Sequence, residues 1–390
     1  MGWPARIIIE RENVSRINFK AWGAAFFSLL LIYIVCFYFF KLLTPDLQTK
    51  LLTLFFPFAV ISMILFTLIF IARVYFFGVM LANHEAYTEE SKRLQDKWTL
   101  WANKKTYIAA CKVFTPQNVD IPSVIADGSP EVYIGQVLRF KDFSNEDLTE
   151  EYFYDELLSS IHEEISRLLP DYFFEAVFIK PEDAMSFSVF KDCWQTAGFP
   201  EEKITKWRFF TGDYSEVINS CVDNAEPKVI QVIIFIGAFQ ERSKGSEFAS
   251  IFLLSHDDIN TQGVIYRPLS TVVSDLTINV KKMMKYQSVI YTTGEVRFSG
   301  MPVEEQAMID NTLRATAMEE HKNWSCAFQD LNMIFGEQGA NHSWLTLAFT
   351  LTAASLSKQK QLMVVKDSGK YFFNVIGHHL ENSDGEPDHA

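Results

Sequence analysis

Ala21 to Phe40 (AWGAAFFSLLLIYIVCFYFF) contains no charged residue, and as a helix it is long enough to cross about 30 Å of hydrocarbon. A chain holding such a segment does not fold as one water-soluble body, because lipid offers no partner to a backbone polar group outside a helix or a closed barrel. A second apolar run, Leu51 to Ala72, follows across the connection KLLTPDLQTK, where Thr44-Pro45-Asp46 is a turn signal. Pro57 falls in the first two turns of that run, where a proline is tolerated with a bend. The pair reads as a transmembrane helical hairpin over 21–72 behind a terminal segment, 1–20. A cleaved signal peptide fits less well, since the first run is too long, its flank is mixed in charge and a second span follows at once.

Arg6, Arg11, Arg16 and Lys20 precede the first span, and Arg73, Lys92 and Arg93 follow the second, against Lys41 and Lys50 between them. That bias places both termini in the cytoplasm. The sequons Asn323-Trp324-Ser325 and Asn341-His342-Ser343 then lie on the side where they are not glycosylated. The polar, helix-prone stretch to Lys105 predicts a juxtamembrane stalk over 73–105, with Trp98 and Trp101 packing on the body or lying at the headgroups.

The rest of the 390 residues reads as a soluble body, 106–380, with an acidic disordered tail, 381–390. A net charge of -13 without a Lys/Arg cluster in the body excludes a nucleic-acid partner. The five cysteines are widely spaced and without CxxC, which suits reduced, buried thiols. No Walker loop, GxGxxG, HExxH or GxSxG is present, and no cofactor is implied.

From Thr106 apolar strand patterns alternate with amphipathic helical ones, the rhythm of an α/β fold with a mainly parallel sheet. Ser144 and Asp147 form a capping-box pattern ahead of a helix burying Leu157, Leu158, Ile161, Ile165, Leu168 and Leu169, which Pro170 ends. Strands are predicted at Phe174 to Ile179, Ile204 to Phe210, Val229 to Gly237, Phe248 to Ser255, Ser288 to Thr293, Cys326 to Phe328, Leu362 to Lys366 and Tyr371 to Ile376. Helices are predicted through Phe187, Phe190 and Trp194, through Tyr214, Val217, Ile218 and Cys221, from Pro302 to Ala317, and about Leu345 to Leu356.

Several segments in this order resemble the thiolase and ketosynthase family. Phe209-Phe210-Thr211-Gly212 resembles the strand-to-helix elbow that carries the family's nucleophilic cysteine, with Phe209 at the thiol position. Tyr291-Thr292-Thr293-Gly294, ahead of Pro302-Val303-Glu304-Glu305, resembles the HGT-like turn with Thr293 in place of histidine. Phe335-Gly336-Glu337-Gln338-Gly339-Ala340 resembles the GHxxGA-like turn with Glu337 in place of histidine, and Gly245 to Leu254 resembles the family's Gly-Glu-Ala-Ala strand. The resemblance implies a layered, thiolase-like α/β domain with two related halves and a dimer paired across its sheets. It also implies lost condensation chemistry, since Phe cannot attack a thioester and Thr is no general base near neutral pH. The candidate pocket is Phe210, Thr211, Gly212, Asp213, Thr292, Gly336 and Gly339.

Simpler roles fit the other reactive side chains. Cys193 and Cys221 fall on apolar helix faces, His256-Asp257-Asp258 reads as a solvated loop, His378-His379 as surface residues, and Asp213 as a helix cap. Glu337 is expected at a helix amino terminus, favoured by the dipole. The family resemblance extends to accessory proteins found with bacterial type VI secretion effectors. The reading is therefore a catalytically inactive adaptor on a bacterial inner membrane, with a secretion effector or spike component as partner. The alternatives are an enzyme on acyl or lipid substrates with a rearranged site, and a membrane immunity protein. Two spans without an internal charge argue against transport.

Overall fold

The computed structural model describes residues 2–8, 11–42, 45–117, 119–127, 132–142, 148–224, 226–238, 245–259, 261–322 and 324–378. They form two compact units, Ile7–Lys97 and a body made of Met1–Arg6 with Trp98–Ala390. In the first unit, α1 (Phe19–Phe40) and α2 (Pro45–Ala102) are each long and apolar enough to cross a membrane, and no residue of α1 is buried. The face they share is aromatic. Trp22 meets Phe66 and Phe70 at 5.6 and 5.4 Å, and Phe40 meets Phe55 at 5.2 Å.

The strands of the body are β1 (Lys105–Phe114), β2 (Phe173–Phe178), β3 (Ile204–Phe209), β4 (Val229–Ile236), β5 (Ala249–Ser255), β6 (Gly263–Tyr266), β7 (Leu269–Thr271), β8 (Thr293–Ser299), β9 (Ala327–Asp330), β10 (Lys360–Asp367) and β11 (Lys370–His378). Its helices are α3 (Ile121–Asp127), α4 (Glu150–Ser160), α5 (His162–Leu168), α6 (Ala184–Thr196), α7 (Tyr214–Asp223), α8 (Leu276–Tyr286), α9 (Val303–Glu319), α10 (Asn332–Phe335) and α11 (Ser343–Ser357).

One half of the sheet runs β3-β2-β4-β5-β1 and the other β9-β8-β10-β11-β6. In each half three neighbouring strands are parallel, the fourth is antiparallel to the third, and the fifth is antiparallel to the fourth. An antiparallel β1–β6 pair joins them. The strand order of the first half is therefore repeated in the second, and the layered α/β class with two related halves is visible in the chain's own topology.

Side-chain alternation sorts the core into layers. Ile230, Val232 and Ile234 of β4 cluster with α4, α5 and α6, whereas Ile233 and Phe235 cluster with α7. In the second half Leu362 and Val364 of β10 cluster with α8 and α9, whereas Met363 and Val365 share the α7 cluster with α11. The helices α7 and α11 thus fill one central core between the half-sheets. Strands covered on both faces have no polar face to offer, which is why β4 and β5 are almost wholly apolar.

Two of the predicted elements differ from the sequence reading. Ser288–Thr292 is a short 3-10 helix, and the strand predicted at Ser288 to Thr293 instead runs Thr293–Ser299. The apolar SVIY run resembles a strand, yet it is the alternation of Val296 and Phe298 with Glu295, Arg297 and Ser299 that suits two dissimilar layers. The helix expected behind Ser144 is capped by Thr149, whose hydroxyl accepts the Tyr152 amide at 3.2 Å, and it breaks at Ile161. Ser144 and Asp147 themselves lie outside the described residues, as do His379, most of the 240–245 turn and the acidic tail.

Residues 2–6 belong to the body rather than to a separate terminal segment, because they complete its second half. Trp3 is 4% exposed, its indole N–H donates to the Pro268 carbonyl at 2.9 Å, and its ring meets Trp101 edge-on at 5.4 Å. Arg267, 1% exposed, lies 4.1 Å over Trp101 and donates to Asp223 at 2.5 and 2.9 Å and to Asn219 at 3.1 Å. The Gln287 amide donates to the carbonyls of Ala102 and Arg267 at 2.7 and 3.1 Å.

Candidate functional site

The ten residues marked by sequence fall in three places. The first is the β3–α7 elbow. Phe209 stacks on Phe178 at 5.1 Å, and Phe210 packs against the central core while its amide donates to the Phe178 carbonyl at 2.8 Å. Thr211 is exposed. Any side chain at Gly212 would strike Phe210 and Glu216. Asp213 caps α7, accepting the Glu216 amide at 3.1 Å and the Ser215 hydroxyl at 2.7 Å, and it pairs with Lys370 at 2.8 Å. Burial pushes its carboxyl up, but Lys370, Ser215 and the Glu216 amide outweigh that and hold it below the usual carboxylate range. Asp213 is a cap, as expected, and also an ion-pair partner.

The second place is the start of β8. Thr292 is exposed, and Thr293 is buried with its hydroxyl donating to the Ile290 carbonyl at 2.8 Å and accepting the Trp324 indole N–H at 3.2 Å. Because β8 begins at Thr293, this pair lies at the start of the strand rather than at its end, so Thr293 does not occupy a strand-to-turn junction. That junction is Ser299-Gly300.

The third place is the loop before α11. Glu337 is exposed and held only through its backbone, its amide donating to the Gln136 carbonyl at 2.8 Å and its carbonyl accepting the Ser246 amide at 2.7 Å. It does not sit at a helix amino terminus, because α11 begins at Ser343. Gly336 has φ +68, and Gly339 lies so close to Gly245 that a Cβ on Gly245 would collide with its backbone.

Besides the Asp213–Lys370 pair, the side chains that converge across the two halves were not the ones marked. Tyr214, the first residue of α7, donates to Asn374 Oδ1 at 2.7 Å and meets Trp344 of α11 at 5.1 Å. Lys370 and Asp367 flank the β10–β11 turn, and Asp367 Oδ2 accepts the Asn341 amide at 2.9 Å. His342, next in sequence, is 3% exposed, and its ring lies against Gly300, whose φ is +74. The imidazole Nδ1–H donates to the Gly339 carbonyl at 2.7 Å, and Nε2, on the side of the Ser299 backbone, is buried without a hydrogen bond of good geometry. Burial pushes the His342 pKa down, with Asp367 and the Gly339 and Ser299 backbone opposing.

Around it Ser299 Oγ, Ser343 Oγ, Trp344 Nε1 and two nitrogens of Arg297 are also buried without partners. A buried polar atom left without any partner, water included, costs about 1–3 kcal/mol. Since neither Ser299 Oγ nor His342 Nε2 has a partner, they do not bond to one another, and no activated hydroxyl exists here. Nor is there a thiol. Burial pushes Cys193 and Cys221 up to about 12, and Cys326 up as well, donating to the Thr293 carbonyl at 3.0 Å. Among the described residues no group of three His, Cys, Asp or Glu is placed to hold a metal ion.

The site therefore has a buried imidazole that the sequence reading missed, and no nucleophile beside it. The missed signal was the alternation of TGEVRFS, which sets the strand end at Ser299 and brings Gly300 and His342 into play.

No protein-family model matches the sequence, and no curated protein matches it significantly. Among solved structures it is similar to an oxazolomycin ketosynthase domain of Streptomyces albus JA3453, at 7% identity and TM-score 0.47, covering 71% of this chain and 96% of that one. It is similar to a type II polyketide ketosynthase in complex with its acyl-carrier protein, at 9% and 0.48, covering 71% and 100%. It is also similar to the peroxisomal 3-ketoacyl-CoA thiolase of Saccharomyces cerevisiae, described as five-layered and built from two core domains of identical topology, at 10% and 0.44, covering 71% and 98%. At such identities and scores no residue role passes from those proteins to this chain.

Proposed function

We propose that this chain is a membrane-anchored, thiolase-like protein that does not condense acyl groups and instead binds another protein, as an adaptor or assembly module at the inner face of a bacterial inner membrane. Loading a type VI secretion effector or spike component is the task this reading assigns to it. Two copies pairing across the sheet edge at β3 fit the same scheme.

The observation that carries the reading is the elbow. At the β3–α7 junction the half-buried rings of Phe209 and Phe210 pack against the cores on the two faces of the sheet, and the one reactive side chain, Asp213, is committed to a cap and to Lys370. Aromatic packing and a satisfied ion pair stabilise a scaffold, whereas acyl transfer needs a low-pKa nucleophile in an accessible place. The two apolar helices support the anchor, and the charge bias around them supports the orientation.

The test uses the whole chain, because Trp3, Ala5, Trp101 and Ala102 are core residues and a truncated body would lack them. Affinity purification from detergent should retain a protein partner, and incubation with an acyl thioester should leave all five cysteines unmodified. Stoichiometric acylation of a cysteine would overturn the reading. A second reading, an enzyme on acyl or lipid substrates, is favoured by the buried Nε2 of His342. It predicts turnover that His342→Asn abolishes, which the adaptor reading does not.

A further inference from the structure

The two helices of the hairpin unit are held apart by rings. Trp22 and Phe26 of α1 meet Phe66 at 5.6 and 5.9 Å, and Phe19 meets Phe70 at 6.3 Å. Beside these contacts lies a groove of about 310 Å³, inside the range of roughly 300–1,000 Å³ typical of ligand sites. Its lining is almost wholly apolar, and Gly23 keeps it open, since a Cβ there would meet nothing within 4 Å.

The groove ends among cations. Phe66, Phe70 and Arg73 are spaced i, i+4 and i+7 on α2, so Arg73 continues the lining stripe one turn past Phe70. Lys20 adjoins Phe19 in the first turn of α1, and Arg16 precedes it by four residues. All three are exposed and have no ion-pair partner among the described residues. The positive end of the α1 dipole, at Phe19, adds to them. The described acidic side chains are distant. None lies on α1, and the next one on α2 after Arg73 is Glu85, twelve residues or about 18 Å along the axis. Glu12 follows Arg11, whose guanidinium lies 4.1 Å over Tyr87, fourteen residues or about 21 Å beyond Arg73.

We propose that this groove binds one anionic phospholipid, with an acyl chain along the rings and the phosphate on Arg73, Lys20 and Arg16. The inference rests on the reading of the two helices as a membrane anchor, which sets the groove in hydrocarbon and the cations at headgroup depth. Charge selects the occupant. A second copy of the hairpin would bring the same three cations against these, and a zwitterionic lipid would add a cation of its own, whereas an acidic headgroup neutralises them.

The experiment uses the full chain in detergent and counts, by native mass spectrometry, the ligand retained per chain during titration with dioleoyl phosphatidylglycerol, dioleoyl phosphatidylcholine or inorganic phosphate. One phosphatidylglycerol should be retained, phosphatidylcholine should bind about tenfold more weakly, and inorganic phosphate should neither bind nor displace the lipid. Lys20→Gln and Arg73→Gln should each weaken phosphatidylglycerol about fivefold. Gly23→Leu, which fills the groove without a clash, should weaken it about tenfold, while the double variant Lys41→Gln/Lys50→Gln, at the other end of the hairpin, should leave it unchanged. Equal retention of the two lipids would overturn the proposal, as would an equal loss in the Lys41→Gln/Lys50→Gln chain, full retention by Gly23→Leu, displacement by inorganic phosphate, or a second copy of the chain in the lipid's place.

The two readings fail distinguishably. If the chain stays in membranes through an alkaline carbonate wash but retains both lipids equally, the lipid site falls and the anchor stands. If the wash releases the chain, the anchor falls and the lipid site falls with it.

Discussion

The amino-terminal ends of α7 and α11 hold corresponding places in the two halves, yet they treat their polar groups in opposite ways. At α7 every side chain is committed: Asp213 to the helix cap and Lys370, Ser215 to Asp213, and Tyr214 to Asn374. At α11, His342, Ser343 and Trp344 each keep a buried polar atom without a partner, and Ser299 and Arg297 on β8 add more. A satisfied buried group stabilises modestly, whereas an unsatisfied one costs its whole desolvation. The start of α7 is thus built for stability, and the start of α11 with the facing end of β8 holds groups a ligand or ordered water could still engage. The comparison makes a signed forecast: polar deletions should hurt at the first place and be tolerated at the second.

The largest effect should come where the second half is geometrically tight. Gly300 has φ +74, and a Cβ there would strike the Lys366 carbonyl and lie 2.5 Å from His342 Nε2. Gly300→Ala should cost about 3 kcal/mol, from left-handed backbone strain together with the clash, read as a lowered urea midpoint of the full chain in detergent. A cost near zero would mean that the His342 ring is free to swing away, and the site would not be preorganised.

Next come the deletions in the first half. Tyr214→Phe leaves Asn374 Oδ1 buried and unpaired and should cost about 1–3 kcal/mol. Asp213→Ala removes the α7 cap and should cost about 1–2 kcal/mol. In the second half the sign should reverse. Arg297 is 3% exposed, its guanidinium lies 5.3 Å from the Phe349 ring centre, its one hydrogen-bonded partner among the described residues is Glu295, and two of its nitrogens have no hydrogen bond there. Burial lowers its pKa against the pull of Glu295. Arg297→Met should therefore be neutral or stabilise by about 1–2 kcal/mol, since an apolar side chain needs no partner there and Glu295 reaches solvent. A loss of several kcal/mol would show that the guanidinium is satisfied, and the asymmetry between the halves would vanish.

Much of this architecture could be read from the sequence where one signal dominated. The elements β2 to β5, β10, β11 and α7 carried either continuous apolar runs or clean helical spacing. What escaped was set by long-range partners. β8 was misplaced because the apolar SVIY outweighed the alternating TGEVRFS, and that error carried the second-half candidates to Thr293 instead of Ser299. β6, β7 and α8 were missed because Arg267-Pro268 interrupts one and lysines dilute the other. His342 was visible only as the middle of a sequon, since nothing local says that it will lie against Gly300. The Asp213–Lys370 pair joins residues 157 apart, a separation at which no pattern warns of contact.

The smallest expected effect is a pH slope, and it separates the halves by window. His342 has a folded pKa below its ordinary value, so the native state prefers the neutral ring. As pH falls below about 6.5 the unfolded chain takes up the proton first, and stability declines. Asp213 has a folded pKa below the carboxylate range, so its contribution is present above about pH 4 and is lost as pH falls through its folded value. His342→Asn keeps a donor for the Gly339 carbonyl but removes the titration. It should flatten the decline of the urea midpoint that sets in as pH falls below about 6.5 and leave the drop below about pH 4 intact, whereas Asp213→Asn should do the reverse. If His342→Asn leaves the upper window unchanged, the imidazole is not buried as a neutral base, and the claim that the second half keeps a neutral imidazole in its core fails.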